Sequence, residues 1–256
     1  MLKIENTENL TGIKISGDYY DMQSLVDAFY SITISEDDKK YSRYFNISTS
    51  VLGLCYDIRH AMQGDRDITL IDNGMDRETM AFQSQITPMQ NVYYQCSYLY
   101  PEMFFVTLAL NELVKIYIKE NSKPKNDYDG VFNKAVVGDK NIAIMRCFQA
   151  TFNDCIKKTL SVTSYARWLN LMTDRFVVIL EISGHFIDHH NIEYLNMSKE
   201  QRQKKLSTIA KRMVEFHHDP LHRELKMTAK EVAEQYNCSP SDLKITRLEY
   251  PEEIEW

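Results

Sequence analysis

The chain has 256 residues, 44% of them hydrophobic and 26% charged, and its 30 basic and 36 acidic side chains leave a net charge of -6. That apolar content excludes a mainly disordered chain, and the acidic balance supplies no overall field to draw in phosphate, so a nucleic-acid surface would have to be local. Eight Gly and six Pro are few for this length and predict long regular elements, chiefly helices. The five cysteines (Cys55, Cys96, Cys147, Cys155, Cys238) are odd in number and form no CxxC pair, which argues against a disulfide scaffold and a cysteine zinc site. The opening MLKIENTENLTG lacks the apolar core of a signal peptide. The most apolar stretch, Met103 to Ile118, is broken by Thr107, Asn111, Glu112 and Lys115, short of the ~20 apolar residues that span a bilayer. The expectation is a cytoplasmic protein that does not engage a membrane.

Along the chain, residues 12 to 16 alternate as a half-buried strand does, and Gly17-Asp18 offers a turn and an N-cap for a helix reaching about Ile32. Val51, Leu54, Cys55, Ile58 and Met62 recur at helical spacing, with Gly64 as C-cap. Ile68 to Ile71, the hairpin signal Asn73-Gly74, Met80 to Ile86, the turn Thr87-Pro88 and Asn91 to Tyr100 together predict an antiparallel meander. Pro101 at a first helical position opens a buried helix over 101 to 119. Residues 121 to 138 are polar and hold Pro124 and Gly130, as a linker or loop does. Beyond them Asp139 caps a helix striped with Met145, Phe148, Phe152, Cys155 and Ile156, and a longer helical pattern runs from about Tyr165 to Leu195. Ser198 with Gln201 forms a capping box, and Thr228 with Glu231 forms another. The fold class is therefore α+β. Residues 1 to 120 form a subdomain with an antiparallel meander of four to five strands, and 139 to 256 form a mainly helical subdomain with a terminal strand over Leu243 to Thr246.

Three constellations could carry function. Asp57 and His60 share one helical face, and with Arg59 and Arg66 they make a small partner- or anion-binding patch near a helix C-terminus. Its plainer reading is a surface Asp57/His60 pair. Six of the seven histidines lie between 185 and 222, and His185 and His189 have the i, i+4 spacing of helical metal ligands, with Asp188 beside them and His218 brought near by folding. A zincin glutamate is missing, so ordinary half-buried histidines are the competing reading, and no cofactor is expected. Arg202, Lys204, Lys205, Lys211 and Arg212 line one side of the helix over 198 to 216, a solvated basic face or a phosphate contact. The segment Thr228 to Leu243 resembles the first helix and turn of helix-turn-helix domains. The recognition helix that should follow holds only Lys244 and Arg247 before Glu249, Glu252, Glu253 and Glu255, which argues against nucleic acid as a partner.

The wording of Val51-Leu-Gly-Leu-Cys-Tyr-Asp-Ile-Arg-His-Ala-Met-Gln-Gly-Asp-Arg, Asn73-Gly-Met, Asn91-Val-Tyr-Tyr, Leu99-Tyr-Pro-Glu-Met-Phe-Phe-Val-Thr-Leu-Ala-Leu-Asn and Tyr250-Pro-Glu-Glu resembles an uncharacterised domain-of-unknown-function family common in Gram-positive bacteria. The resemblance extends over most of the chain, implies a cytoplasmic bacterial protein and brings no assigned activity. With no strong catalytic or cofactor motif, and with 16 Tyr and 12 Met suited to contact surfaces, the leading expectation is a non-enzymatic binding or regulatory protein that acts through a protein partner or self-association. The alternatives are a metal-dependent hydrolase using His185, Asp188, His189 and His218, and a nucleic-acid binder using the basic helix and the tail.

Overall fold

A computed structural model of the chain describes residues 1–122, 134–172, 183–240, 243 and 249–256. Four strands, β1 (Lys3–Asn6), β2 (Gly12–Gly17), β3 (Asp67–Asp72) and β4 (Gln90–Leu99), form an antiparallel sheet in the order β1-β2-β4-β3. The helices longer than one turn are α1 (Tyr19–Ile32), α2 (Phe45–Met62), α3 (Arg77–Gln83), α4 (Tyr100–Ser122), α5 (Lys140–Thr159), α6 (Val162–Met172), α7 (Ser183–Leu195), α8 (Lys199–Val214) and α9 (Pro220–Tyr236), with a single helical turn at Lys134–Val137 before α5. The α+β class holds, with the sheet and three helices in the first hundred residues and helices among the described residues after it.

Helix starts follow local chemistry. Asp18 and Ser198 form reciprocal capping boxes with Asp21 and Gln201, and Asp139 accepts from the Ile142 amide. Asp219 caps α9 with Pro220 in the first turn, where a missing N–H costs nothing. Because α9 then runs unbroken to Tyr236, Thr228 and Glu231 lie in its interior and form no second capping box. The stripe His222, Leu225, Ala229, Ala233 stays buried through that point, which removes any reason for the helix to restart. Asn237, with φ 51°, ends it in the left-handed region that Asn tolerates. The strand expected over Leu243 to Thr246, Lys244 and Arg247 lie outside the described residues except for Leu243. So do residues 173–182 of the long helix expected over 165 to 195, and 123–133 of the expected linker.

The sheet departs from the expected meander in two places. Lys3–Asn6 buries only Ile4, so β1 has almost no apolar alternation to announce it. Met80 to Ile86 is not a strand. β3 pairs directly with β4, from Asp67 against Gln95 to Asp72 against Gln90, and the residues between them form a long connection that carries α3. Asp76 caps that helix by accepting from the Thr79 amide at 2.7 Å. Asn73-Gly74 sits at the end of the ladder, with Gly74 at φ 77°, but it opens this connection and does not form a two-residue hairpin.

Helix α4 organises the core. It follows β4 without a linker, buries Met103, Phe104, Leu108, Leu110 and Leu113, and packs against α2, α7 and α8. One hydrophobic cluster runs from Ile13 and Ile15 of β2 through Phe29, Phe104 and Phe148 to Met213 of α8. No helix among the described residues is long and apolar enough to cross a membrane. The turn between β1 and β2 is clamped from a distance. Leu10 adopts φ 53°, Tyr194 donates to its carbonyl at 2.9 Å, and Arg202 reaches the Asn9 carbonyl at 3.0 Å and Thr11 Oγ1 at 3.3 Å. Arg202 is therefore 8% exposed and not part of a solvated basic face; its guanidinium also donates to the carbonyls of Tyr194 and Leu195. Lys204, Lys205 and Lys211 are exposed as expected, while Arg212 lies 3.4 Å from Glu193 and 3.7 Å from Asp219.

Candidate functional site: two cavities that meet at Glu102

The junction of β4 and α4 places Tyr98 and Glu102 four residues apart on a continuous piece of backbone. The Tyr98 hydroxyl donates to Glu102 Oε1 at 2.7 Å, and Asn191 Nδ2 of α7 reaches Oε2 at 3.5 Å. Asn191 also donates to the Tyr250 hydroxyl at 3.1 Å, which in turn donates to Asp188 Oδ1 at 2.8 Å. Burial pushes the Glu102 carboxyl up to about 7, and the neighbouring charges of Asp188 and Asp57 add to the rise against the Tyr98 and Asn191 bonds. Burial, and after it the Glu102 charge, holds the Tyr98 hydroxyl well above the ordinary phenol range, so it stays a donor.

Two cavities share Glu102 as a wall. The larger, about 730 Å³, is lined on its polar side by Asp57, Asp65, Arg66, Asp67 and Tyr98, and on its apolar side by Leu99, Ile254 and Trp256. The smaller, about 270 Å³, is lined by Ser50, Ser183, His185 and Asp188 among others. The larger volume falls in the range of small-molecule sites. Cys96 is on its wall, but burial pushes that thiol up to about 12, so it offers no thiolate nucleophile at neutral pH.

The residues singled out in the sequence fall on both sides of this centre. Asp57 and Arg66 are on the wall of the larger cavity, joined at 3.1 Å, whereas His60 pairs with Asp65 at 2.8 Å. The expected Asp57/His60 surface pair is thus replaced by two crossed pairs, because the turn after α2 brings Asp65 and Arg66 back over the helix end. Arg59 points elsewhere and donates to the Tyr30 hydroxyl at 3.1 Å. His185 and Asp188 are on the wall of the smaller cavity. His190, His217 and His222 instead pack with Phe186 and Phe216: ring centroids are 4.5 Å apart for Phe186–His190 and 5.4 Å for Phe216–His222. His189 lies against His190 and His218 against His217, at 5.8 and 4.0 Å. Among the described residues no three His, Cys, Asp or Glu side chains converge to hold a metal ion.

Glu102 and Tyr250 fall in segments that carry the family resemblance, but no motif assigns them, Tyr98 or Asn191 a role in a site. The available signal is Glu102 itself, the one acid among the apolar residues of the first three turns of α4.

A second feature stands apart from the cavities. β3 is exposed along its length except for Ile71, and it pairs only with β4 among the described residues. With the start of β4 and the connection between them it forms an arm over 67–92 that presents Ile68, Leu70, Met89 and Val92, with Phe82 91% and Ile86 99% exposed.

Architecture and site together define an α+β protein with an acidic cavity at a strand-to-helix junction and an apolar arm on a sheet edge that is unpaired among the described residues. The chain belongs over residues 2–256 to the DUF6904 family, a domain of unknown function. No curated protein and no solved structure matches it.

Proposed function

We propose that this protein works by binding a partner protein through the arm over 67–92. The observation that carries this reading is the exposure of Ile68, Leu70, Phe82 and Ile86 along an unshared strand edge and the connection beyond it. Apolar surface of this kind is expensive to leave in water, and a free edge is a ready template for another chain. Its chemistry also describes the partner. The arm holds Asp67, Asp72, Asp76 and Glu78 against Arg77, which favours an apolar surface rimmed by Lys or Arg. Antiparallel pairing of two β3 strands over all six residues would set Asp67 opposite Asp72 twice, and like charges directly opposite are destabilising. A different chain is therefore favoured over edge-to-edge self-association. Five free thiols fit the reducing cytoplasm as the compartment.

The test compares the wild-type chain with Phe82→Ser/Ile86→Ser as bait in extracts of the organism that carries it, with light scattering in parallel. A protein retained by the wild type, released as salt rises and lost with the variant supports the reading. Identical retention by both chains overturns it. A concentration-dependent dimer abolished by the variant would replace the foreign partner with a second copy.

A further inference from the structure

We propose that the paired cavities around Glu102 form a binding site for a small organic cation, an amine or guanidine carried on an apolar body. The charge of the walls sets the sign of the ligand. In the larger cavity Asp57 is matched by Arg66 and Asp65 by His60, which leaves Asp67 and Glu102 with no cationic partner among the described residues. In the smaller cavity Asp188 has, among the described residues, the Tyr250 hydroxyl as its partner, and His185 is the one basic side chain they place on the wall. An anion would meet an excess of carboxylates on either side, whereas a cation would restore the balance that burial upsets.

A buried polar atom on the wall of the smaller cavity points to a ligand group that would pair with it. Ser183, 2% exposed and on the wall of the smaller cavity, has its Oγ buried without a hydrogen-bond partner. Asn191, 1% exposed, stands behind that wall, in neither cavity lining, and ties Glu102 to Tyr250 through its amide nitrogen. A buried hydroxyl without a partner is uncommon, and an ammonium or guanidinium supplies an N–H donor for it as well as for the neighbouring carboxylates. With no three metal-binding side chains converging among the described residues, an organic cation fits the site better than a metal ion. Leu99, Ile254 and Trp256 cover the carbon body, and an indole face adds to the attraction for a cation.

Binding is linked to protons through the groups that face Glu102: Asp57 from α2, Tyr98 from β4, Asp188 and Asn191 from α7, Tyr250 from the C-terminal segment, with Arg66 beside Asp57 and His185 across the smaller cavity. A carboxyl that titrates at about 7 is half protonated near neutrality, so a cation draws the proton off and binds more tightly as the pH rises through that value.

Calorimetric titration with agmatine, putrescine and phenethylamine tests this, with butanediol and succinate as neutral and anionic controls, at about pH 6 and about pH 8 on either side of the Glu102 midpoint. The expected result is binding by at least one amine with proton release, about tenfold weaker at the lower pH and about tenfold weaker in Glu102→Gln. If Glu102→Gln does not fold, Asp188→Asn provides the same comparison. Absence of amine binding at millimolar concentration, undiminished binding by both variants, or tighter binding of succinate overturns the proposal.

Discussion

The Tyr98 hydroxyl stands 2.7 Å from Glu102 Oε1 where strand β4 passes directly into helix α4. A phenol kept protonated and a carboxyl whose charge is opposed by burial are thus held together by a single stretch of backbone. Neither can shift without displacing the helix that fills the core.

The first prediction concerns Glu102→Gln and stability. The folded-state carboxyl titrates at about 7 against 4.5 for the free side chain. Its raised value contributes stability that is complete below the free value and is lost as pH rises through about 7. An uncharged glutamine keeps an acceptor for Tyr98 and removes the buried charge. The variant should therefore melt higher than the wild type above neutrality, by up to about 3 kcal/mol, and show little difference in mild acid. Thermal melts across this range check it; a variant less stable at every pH would contradict the assigned cause.

Acid should act through His190. Burial lowers its pKa, Glu193 lies 3.3 Å from Nδ1 without hydrogen-bonding alignment, and both ring nitrogens are buried. A depressed histidine contributes stability that is present above the ordinary histidine value and lost as pH falls toward the folded one. His190→Leu should flatten that part of the stability profile, read by chemical denaturation at successive pH values.

Arg202 and Lys204, two positions apart on α8, should behave oppositely. Arg202→Met removes donors to Asn9, Tyr194 and Leu195 and should cost about 2–4 kcal/mol, because it strands buried carbonyls. Lys204→Ala changes an exposed side chain and should stay within about 0.5 kcal/mol. Equal effects on the denaturation midpoint would mean that the clamp on the β1–β2 turn is not what holds Arg202 in place.

The elements that the sequence announces are those governed by neighbours. Asp18, Asp139, Ser198 and Asp219 mark helix starts because a cap needs only an amide two or three residues away. Met80 to Ile86 misleads because its apolar residues suit a strand, while Asp76 and the direct pairing of Asp72 with Gln90 leave it outside the sheet. Arg202 is misread because periodicity places it on the outer face, and only the distant Asn9 carbonyl explains its burial. The candidate site is legible in halves. Asp57 and Arg66 stand out in one region and His185 and Asp188 in another. Glu102, which joins them, meets an asparagine 89 positions away, a separation that no local pattern encodes.

The clamp on the β1–β2 turn also constrains how the chain can be made. Asn9 and Leu10 are synthesised well ahead of the groups that satisfy their carbonyls, since Arg202 and the Tyr194 hydroxyl are translated more than 180 residues later. At ordinary elongation rates of about 5–20 residues per second, the nascent N-terminal hairpin waits on the order of ten seconds or more with an unfinished turn. Consolidation of the sheet is therefore tied to the synthesis of α7 and α8, and truncated products ending before α8 should be prime substrates for chaperones and proteases.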